Sequence, residues 1–120
     1  MLKLNVILIA PLVTILLVGC SGPTPGREDA LNACAYVSIA GEEVIRLGEG
    51  EEPQWTSAQF QGLFETAISS ANEAATANED FQQLGLISRQ LERKIENLDP
   101  EFVLDLLSLE MECEQLGLYG

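Results

Sequence analysis

Beyond residue 28, apolar residues recur at helical spacing, and this periodicity constrains the fold more than any other feature of the sequence. After Thr56 the apolar side chains return at intervals of three and four positions, which places them on one face of a helix. They are Phe60, Leu63, Phe64, Ala67, Ile68, Ala71, Ala74 and Ala75. No stretch alternates apolar and polar residues as a half-buried strand would. The pattern therefore predicts an all-α domain.

The second predicted helix has the clearest start signal. Thr56 and Gln59 form a capping-box pair, and Trp55 and Phe60 occupy the positions of a hydrophobic staple. The first helix is expected to cover residues 28–47 and the second 57–77. Gly48 and Gly50 follow the first of them, where a helix commonly ends.

The last two helices are separated by the sequence Asp99-Pro100. Aspartate is a favourable N-cap and proline a favourable first helical residue, so the third helix is expected to end at Asp99 and the fourth to begin there. Asn78-Glu79-Asp80 is a break before the third helix, although a helix continuous through Asn78 remains an alternative. Gly117 is placed to end the fourth helix. Four helices with short connections favour a small up-down-up-down four-helix bundle.

Apolar spacing also predicts which faces are buried in the other three helices. The first should bury Leu31, Cys34, Val37, Gly41, Val44 and Ile45. The third should bury Phe81, Leu84, Ile87, Leu91, Ile95 and Leu98. The fourth should bury Phe102, Val103, Leu106, Leu107, Leu109, Cys113 and Leu116.

Residues 1–19 have the composition of a signal peptide. Lys3 is followed by an apolar run from Val6 to Val18, which is interrupted by Pro11 and Thr14. A transmembrane anchor is the alternative. The uncharged stretch over residues 4–19 is shorter than the roughly 20 apolar residues that a spanning helix needs, and it contains a proline. We therefore expect a signal-peptide helix in front of the domain.

The run ends in Leu17-Val18-Gly19-Cys20, which resembles the lipobox of bacterial lipoprotein signal peptides. The resemblance implies that the Cys20 thiol receives a diacylglyceryl group, that the chain is cut before Cys20, and that its new amino group also receives an acyl chain such as palmitate. An ordinary secretory signal with a chance cysteine is the alternative. Two or more acyl chains anchor a protein stably, whereas one binds only marginally.

The whole chain is similar to small actinobacterial lipoproteins of uncharacterised function. The resembling features are Cys20, Asn32-Ala33-Cys34, the Ala-rich segment 71–75 followed by residues 80–84, and Glu112-Cys113. The resemblance implies a lipid-anchored position on the extracytoplasmic face of the cell membrane and a helical domain, without implying an activity. In a Gram-negative host, Ser21 resembles the pattern that is sorted to the outer membrane.

The expected organisation is thus a signal peptide over residues 1–19, a lipidated cysteine and flexible tether over 20–27, and a helical domain over 28–120. With Cys20 lipidated, Cys34 and Cys113 remain, and such a pair in an exported domain predicts a disulfide. Topology supports this independently, because the first helix starts where the fourth one ends. Two free buried thiols, or one redox-active cysteine, are the alternatives, although no Cys-x-x-Cys motif is present.

Charge and composition exclude several classes of function. The chain has 6 Lys and Arg against 19 Asp and Glu, a formal net charge of −13, so nucleic-acid binding is not expected. Histidine is absent, which removes the commonest general base and zinc ligand. Without histidine or a Ser-x-x-Lys motif, no serine has an evident activating base. No catalytic, cofactor or metal site is predicted.

Carboxylates are the remaining reactive groups, and they gather in two places. One group surrounds the end of the first helix and the second lies near the end of the fourth; they are Glu42, Glu43, Glu49, Glu51 and Glu52, and Glu110, Glu112 and Glu114. Solvated surface charge is the preferred interpretation over glycoside hydrolysis or a calcium site at 49–52.

We therefore expect a membrane-anchored cell-envelope lipoprotein with a non-enzymatic binding or structural role. Its expected partners are membrane lipid, through acylated Cys20, and an envelope protein. A carboxylate-based envelope enzyme or accessory subunit is one alternative, and a small carrier of a hydrophobic ligand is another. The stripe of Phe60, Phe64 and Ile68 is expected to be core, with a lipid-binding groove between helices as the alternative.

Overall fold

A computed structural model of the chain describes residues 24–119, which form four α-helices. They are α1 (Arg27–Gly48), α2 (Ser57–Ala77), α3 (Gln82–Glu96) and α4 (Phe102–Gln115), with a short 3₁₀ turn at Glu79–Phe81 before α3. Residues 24–119 contain no β-strand. None of their helices has both the length and the apolar composition to cross a bilayer. The predicted signal peptide and the lipidation of Cys20 concern residues outside this range.

The four helices pack as a closed ring. α1 contacts both α2 and α4, and α3 contacts both α2 and α4. Each helix is therefore packed against the helices next to it in sequence, and the first is packed against the last. This confirms the up-down-up-down four-helix bundle. The Cys34–Cys113 disulfide, with a Cα–Cα distance of 5.8 Å, covalently joins α1 to α4 and confirms the predicted pairing.

The boundaries of α2 agree with the sequence prediction because local signals fix both of them. At its start, the Gln59 backbone N–H donates to Thr56 Oγ1 at 3.1 Å, and the Thr56 N–H donates to Gln59 Oε1 at 3.0 Å. At its end, Asn78 has an extended backbone, and its side-chain oxygen accepts from the Asp80 N–H at 2.9 Å. Asn78 therefore separates α2 from α3, and the alternative of one continuous helix is wrong.

Three helices end with a residue in the left-handed conformation. Gly50, Leu98 and Gly117 have φ values of 83°, 55° and 70° after α1, α3 and α4. In each case the N–H of the following residue donates to a carbonyl of the last helical turn at 2.8 to 3.0 Å, which is the pattern of a Schellman motif. Leu98 is the unusual member, because a side chain disfavours this conformation.

The predicted junction of the third and fourth helices is wrong by a few residues. α3 ends at Glu96 rather than Asp99, and α4 begins at Phe102 rather than Pro100. Asp99 still acts as a local acceptor, since its carboxylate accepts from the Glu101 N–H at 2.9 Å. The Schellman motif around Leu98 uses the residues that the sequence assigned to α3, and Leu98 is consequently 89% exposed rather than buried.

The buried face of α1 also differs from the prediction. Cys34, Val37 and Gly41 are buried as expected, whereas Ile45 is 58% exposed and Leu31 lies at the surface. Much of the contact is made instead by Ala30, Ala33 and Ala40, which are fully buried. Small side chains allow neighbouring helices to approach closely. The prediction favoured the larger apolar residues and therefore misplaced the buried face of α1. In α4, likewise, Leu107 is 49% exposed, and the buried residues include Asp105.

Candidate functional site

The described chain begins in contact with the fold. The Asn78 side-chain amide donates to the Pro25 carbonyl at 3.1 Å. Gly26 has φ 77° and packs so closely on α2 that a Cβ atom there would lie 2.9 Å from the Ala74 carbonyl oxygen. These residues belong to the segment predicted as a flexible tether, so the fold begins earlier than that prediction places it. The chain thus enters at the end of the bundle where α1 begins, which we call the entry end.

The disulfide lies in the core close to the entry end. Both Cys34 and Cys113 are fully buried. Because the two sulfur atoms are bonded to each other and enclosed by helices, neither is available as a nucleophile or a metal ligand. The alternatives of two free thiols and of a redox-active cysteine are therefore wrong, and the bond has a structural role.

The first of the two clusters of acidic residues, around the end of α1, contains a buried residue that the sequence did not reveal. Glu43 is 2% exposed, and its Oε2 accepts from the backbone N–H groups of Gln54 and Trp55 at 2.9 and 3.4 Å. Its Oε1 lies 3.7 Å from the Arg46 guanidinium. Arg46 also pairs with Glu51 at 2.7 Å. Glu43 therefore fixes the loop that leads into α2, and its interpretation as solvated surface charge is wrong.

The second cluster of acidic residues, near the end of α4, includes Glu110, whose side chain packs over α1. A Cβ atom at Gly41 would lie 2.6 Å from Glu110 Oε2, so the missing side chain makes room for this carboxylate. Burial raises the pKa of Glu110, and the charges of Glu114 and Glu42 raise it further. Burial, together with Glu110 and Glu114, raises the pKa of Tyr119 to about 12. None of these residues lines the concave surface between α2 and α3.

No set of three or more Asp, Glu or Cys side chains within residues 24–119 is arranged to hold a metal ion. The carboxylates of the two clusters named in the sequence analysis line neither hollow between α2 and α3. Glu43 accepts a hydrogen bond from the loop before α2, and Glu110 packs against Gly41 of α1.

A concave surface lies between α2 and α3, and we call it the α2–α3 groove. It encloses about 690 Å³. Phe64, Ile68 and Ile95 form its apolar floor. Four acidic residues stand around it, Glu65 and Glu73 from α2 and Glu92 and Glu96 from α3.

The α2–α3 groove continues away from the entry end. A second hollow of about 460 Å³ shares Gln61, Phe64 and Ile95 with the first and extends to Phe102 and Leu98. Phe60 and Phe64 pack edge to face with ring centroids 4.9 Å apart, and Phe64 packs likewise on Phe102 at 5.9 Å. The two hollows therefore form one groove with an aromatic end.

The charge around the α2–α3 groove is not neutralised by the described domain. Within residues 24–119, Arg46 and Lys94 make all the ion pairs, and neither pairs with an acidic residue of the groove. Lys94 lines the aromatic end, but its Nζ lies 2.9 Å from the buried carboxylate of Asp105. This hydrogen bond is the main cause that raises the pKa of Lys94. The groove is thus apolar at its floor and negative at its rim.

The preferred interpretation of the sequence did not include the α2–α3 groove. It assigned the stripe of Phe60, Phe64 and Ile68 to the core, and Phe64 and Ile68 are indeed mostly buried. A lipid-binding groove between helices was the alternative for this stripe, and the hollow does open at the surface between two helices. The available signal was the spacing of Glu92 and Glu96, which places two carboxylates on one face of α3.

Comparisons with known proteins give no relative. The chain matches no family model, no curated protein and no solved structure.

Proposed function

We propose that this chain is a lipid-anchored lipoprotein of the cell envelope, whose helical domain is a non-enzymatic binding module. The observation that carries the proposal is the buried Cys34–Cys113 disulfide. Structural disulfides persist in oxidising compartments and are rare in the cytoplasm. The bond therefore supports export, and the lipobox residues Leu17-Val18-Gly19-Cys20 supply the means of export and attachment.

Attachment at Cys20 would hold the domain close to the bilayer. Cys20 precedes Thr24 by four residues, and four residues span at most about 14 Å even when fully extended. The Asn78–Pro25 hydrogen bond then holds the chain against the fold. The entry end would face the membrane, and the aromatic end of the α2–α3 groove, which lies near the start of α4, would point away from it.

Acyl chains would also provide the membrane affinity that the protein surface lacks. With a formal net charge of −13, the chain is repelled by anionic headgroups rather than attracted to them. Two acyl chains bind independently of that charge, since each buried CH₂ group contributes about 0.8 kcal/mol.

A binding role agrees with how the domain uses its carboxylates. Acid–base hydrolysis needs two carboxyl groups that flank a cleft, one of them protonated. Glu43 is hydrogen-bonded to backbone N–H groups, and Glu110, whose pKa is raised, lines neither hollow. The four carboxylates that do flank the α2–α3 groove are all exposed to solvent, whereas a carboxyl group that stays protonated needs burial. The groove, in contrast, combines an apolar floor with polar residues around it, as binding surfaces commonly do.

Metabolic labelling with a clickable palmitate analogue tests the anchor. Cells that express the native chain should yield a labelled, membrane-bound protein whose first residue is Cys20. Cys20→Ser should abolish the label and move the protein to the soluble fraction or leave it uncut. Thr24→Ser, a neighbouring substitution outside the lipobox, should behave like the native chain. A Cys20→Ser protein that is still labelled and cut at the same place would overturn the proposal.

A further inference from the structure

We propose that the α2–α3 groove binds a basic amphipathic helix of a partner protein. This inference names the partner class for the proposed binding role, but it does not depend on the lipid anchor. It follows from three properties of the groove, which are its apolar floor, its acidic rim and its length.

The aromatic end of the α2–α3 groove, together with Ile95 of its floor, favours an apolar side chain from outside. Phe60, Ile95 and Phe102 are only partly buried by the domain, and Leu98 projects into solvent at the aromatic end. Covering these side chains would remove apolar surface from water, which is the main favourable contribution to most associations. A ligand that fits must therefore present an apolar face.

The rim determines the charge of the ligand. Glu65, Glu73, Glu92 and Glu96 are all exposed, and none of them pairs with a basic residue of the described domain. A fatty acid or an anionic lipid headgroup would add negative charge to this set and would be repelled. Lysine or arginine side chains would instead be attracted, and the net charge of −13 would steer a basic partner toward the chain.

The length of the groove matches a helix rather than a small molecule. Along α2 the lining residues run from Ser57 to Ala77, which corresponds to about 30 Å at the helical rise of about 1.5 Å per residue. A partner helix of about five turns would cover most of this distance. Helices that bind in grooves place apolar anchors three, four and seven residues apart, with charged residues on the flanks. The acidic residues on both sides of the floor would meet such flanks.

A titration with a designed peptide tests the proposal. The full chain is reconstituted in nanodiscs of zwitterionic phosphatidylcholine, with empty nanodiscs as the blank. The probe is a fluorescent helical peptide of about 18 residues, with leucine and phenylalanine on one face and lysine on the other. A second peptide has glutamate in place of every lysine. Anisotropy should show saturable binding of the lysine peptide that weakens with added salt, and no binding of the glutamate peptide.

Two pairs of variants locate the binding. Ser69→Arg introduces a cation at the groove, and Ser108→Arg introduces the same charge on the outer surface of α4; both serines are exposed. Only Ser69→Arg should weaken binding, by roughly tenfold or more. Glu73→Gln with Glu92→Gln should weaken it by roughly tenfold, whereas Glu49→Gln with Glu52→Gln, an equal change of net charge outside the groove, should have little effect.

Several results would overturn the proposal. They are equal weakening by both members of a pair, equal affinity for the two peptides, and competition by a fatty acid for the peptide site. Failure of the anchor would be distinguishable, because an unlipidated chain would not enter nanodiscs but could be titrated in buffer with the same peptides. Peptide binding in buffer would support the groove, and the failure to enter nanodiscs would contradict the anchor.

Discussion

The Cβ position of Gly85 in α3 lies 2.6 Å from the Cβ atom of Ala75 in α2. No real pair of Cβ atoms approaches so closely, so the contact requires a glycine. Gly62, in contrast, lies inside α2 with no foreign atom within 4 Å of its Cβ position. The two glycines therefore have different roles in helices of the same bundle.

Substitution of these glycines should have opposite effects. Gly85→Ala should lower the free energy of unfolding by about 2 kcal/mol, because α2 and α3 must move apart. Gly62→Ala should raise it by about 1 kcal/mol, because alanine favours the helix and meets no obstacle. Urea denaturation of both variants measures the difference. Equal stabilisation by both substitutions would show that α2 and α3 can separate without cost.

The buried carboxylate of Glu43 provides a second prediction. Glu43→Gln should lower the free energy of unfolding by about 2 kcal/mol, because the ion pair with Arg46 is lost and an amide replaces the carboxylate that the Gln54 and Trp55 N–H groups contact. The matched control is Glu42→Gln, which alters an exposed neighbour and should cause no loss. Chemical denaturation tests both, and equal stability of the two variants would contradict a role for Glu43 in holding the loop.

Removal of the disulfide should be strongly destabilising. The bond joins residues 79 positions apart, and the chain-entropy relation assigns about 4.5 kcal/mol to a loop of this length. Cys34→Ser with Cys113→Ser should therefore lower the melting temperature and leave a small free energy of unfolding. Differential scanning calorimetry of the variant and of the oxidised native chain measures the loss. An unchanged melting temperature would show that helix packing alone maintains the bundle.

The left-handed residue after α3 should be improved by glycine. Leu98 has φ 55° and is 89% exposed, so Leu98→Gly removes conformational strain without removing core contacts. We expect a gain of about 1 kcal/mol in the free energy of unfolding. Leu98→Ala, which keeps a Cβ atom in the same conformation, is the control and should give no such gain. A gain that is equal in both variants would attribute the effect to the exposed side chain.

Glu110 gives a pH-dependent prediction. Its pKa in the folded chain is raised above the ordinary value of 4.5, so the folded chain holds this proton more tightly than the unfolded chain does. Its contribution to stability is present at low pH and is lost as the pH rises above about 4.5. Glu110→Gln should therefore stabilise the chain at about pH 7, by about 0.5 kcal/mol after allowance for solvent screening. The gain should disappear below about pH 4, as thermal melts at both pH values would show.

Local signals in the sequence predicted the parts of the fold that depend on few residues. The capping box of Thr56 and Gln59 identified the start of α2, and Asn78 identified the break after it. The pairing of Cys34 with Cys113 followed from the two cysteines that remain once Cys20 is assigned to the lipid, and the order of the four helices agreed with it. In each case the information lay within a few positions or in the topology.

Features that depend on three-dimensional packing were not predictable in the same way. Glu43 is buried because the loop at Gln54 and Trp55 folds back over α1, and the spacing of acidic residues does not indicate that fold. The left-handed turn at Leu98 was not predictable, because the residue there is not a glycine. The α2–α3 groove depends on how far apart two helices lie, a quantity that apolar periodicity does not contain.

The Cys34–Cys113 bond also determines how the domain responds to mechanical load. If the chain is held at Cys20, tension enters the fold through the hydrogen-bonded residues at Pro25 and reaches α1. Only the residues before Cys34 can be pulled straight before the load passes directly into α4 through the covalent bond. A force between the two ends of the domain therefore bypasses α2 and α3. A surface formed by the chain between Cys34 and Cys113, which the load bypasses, would keep its shape under tension at the two ends of the domain. The α2–α3 groove is such a surface.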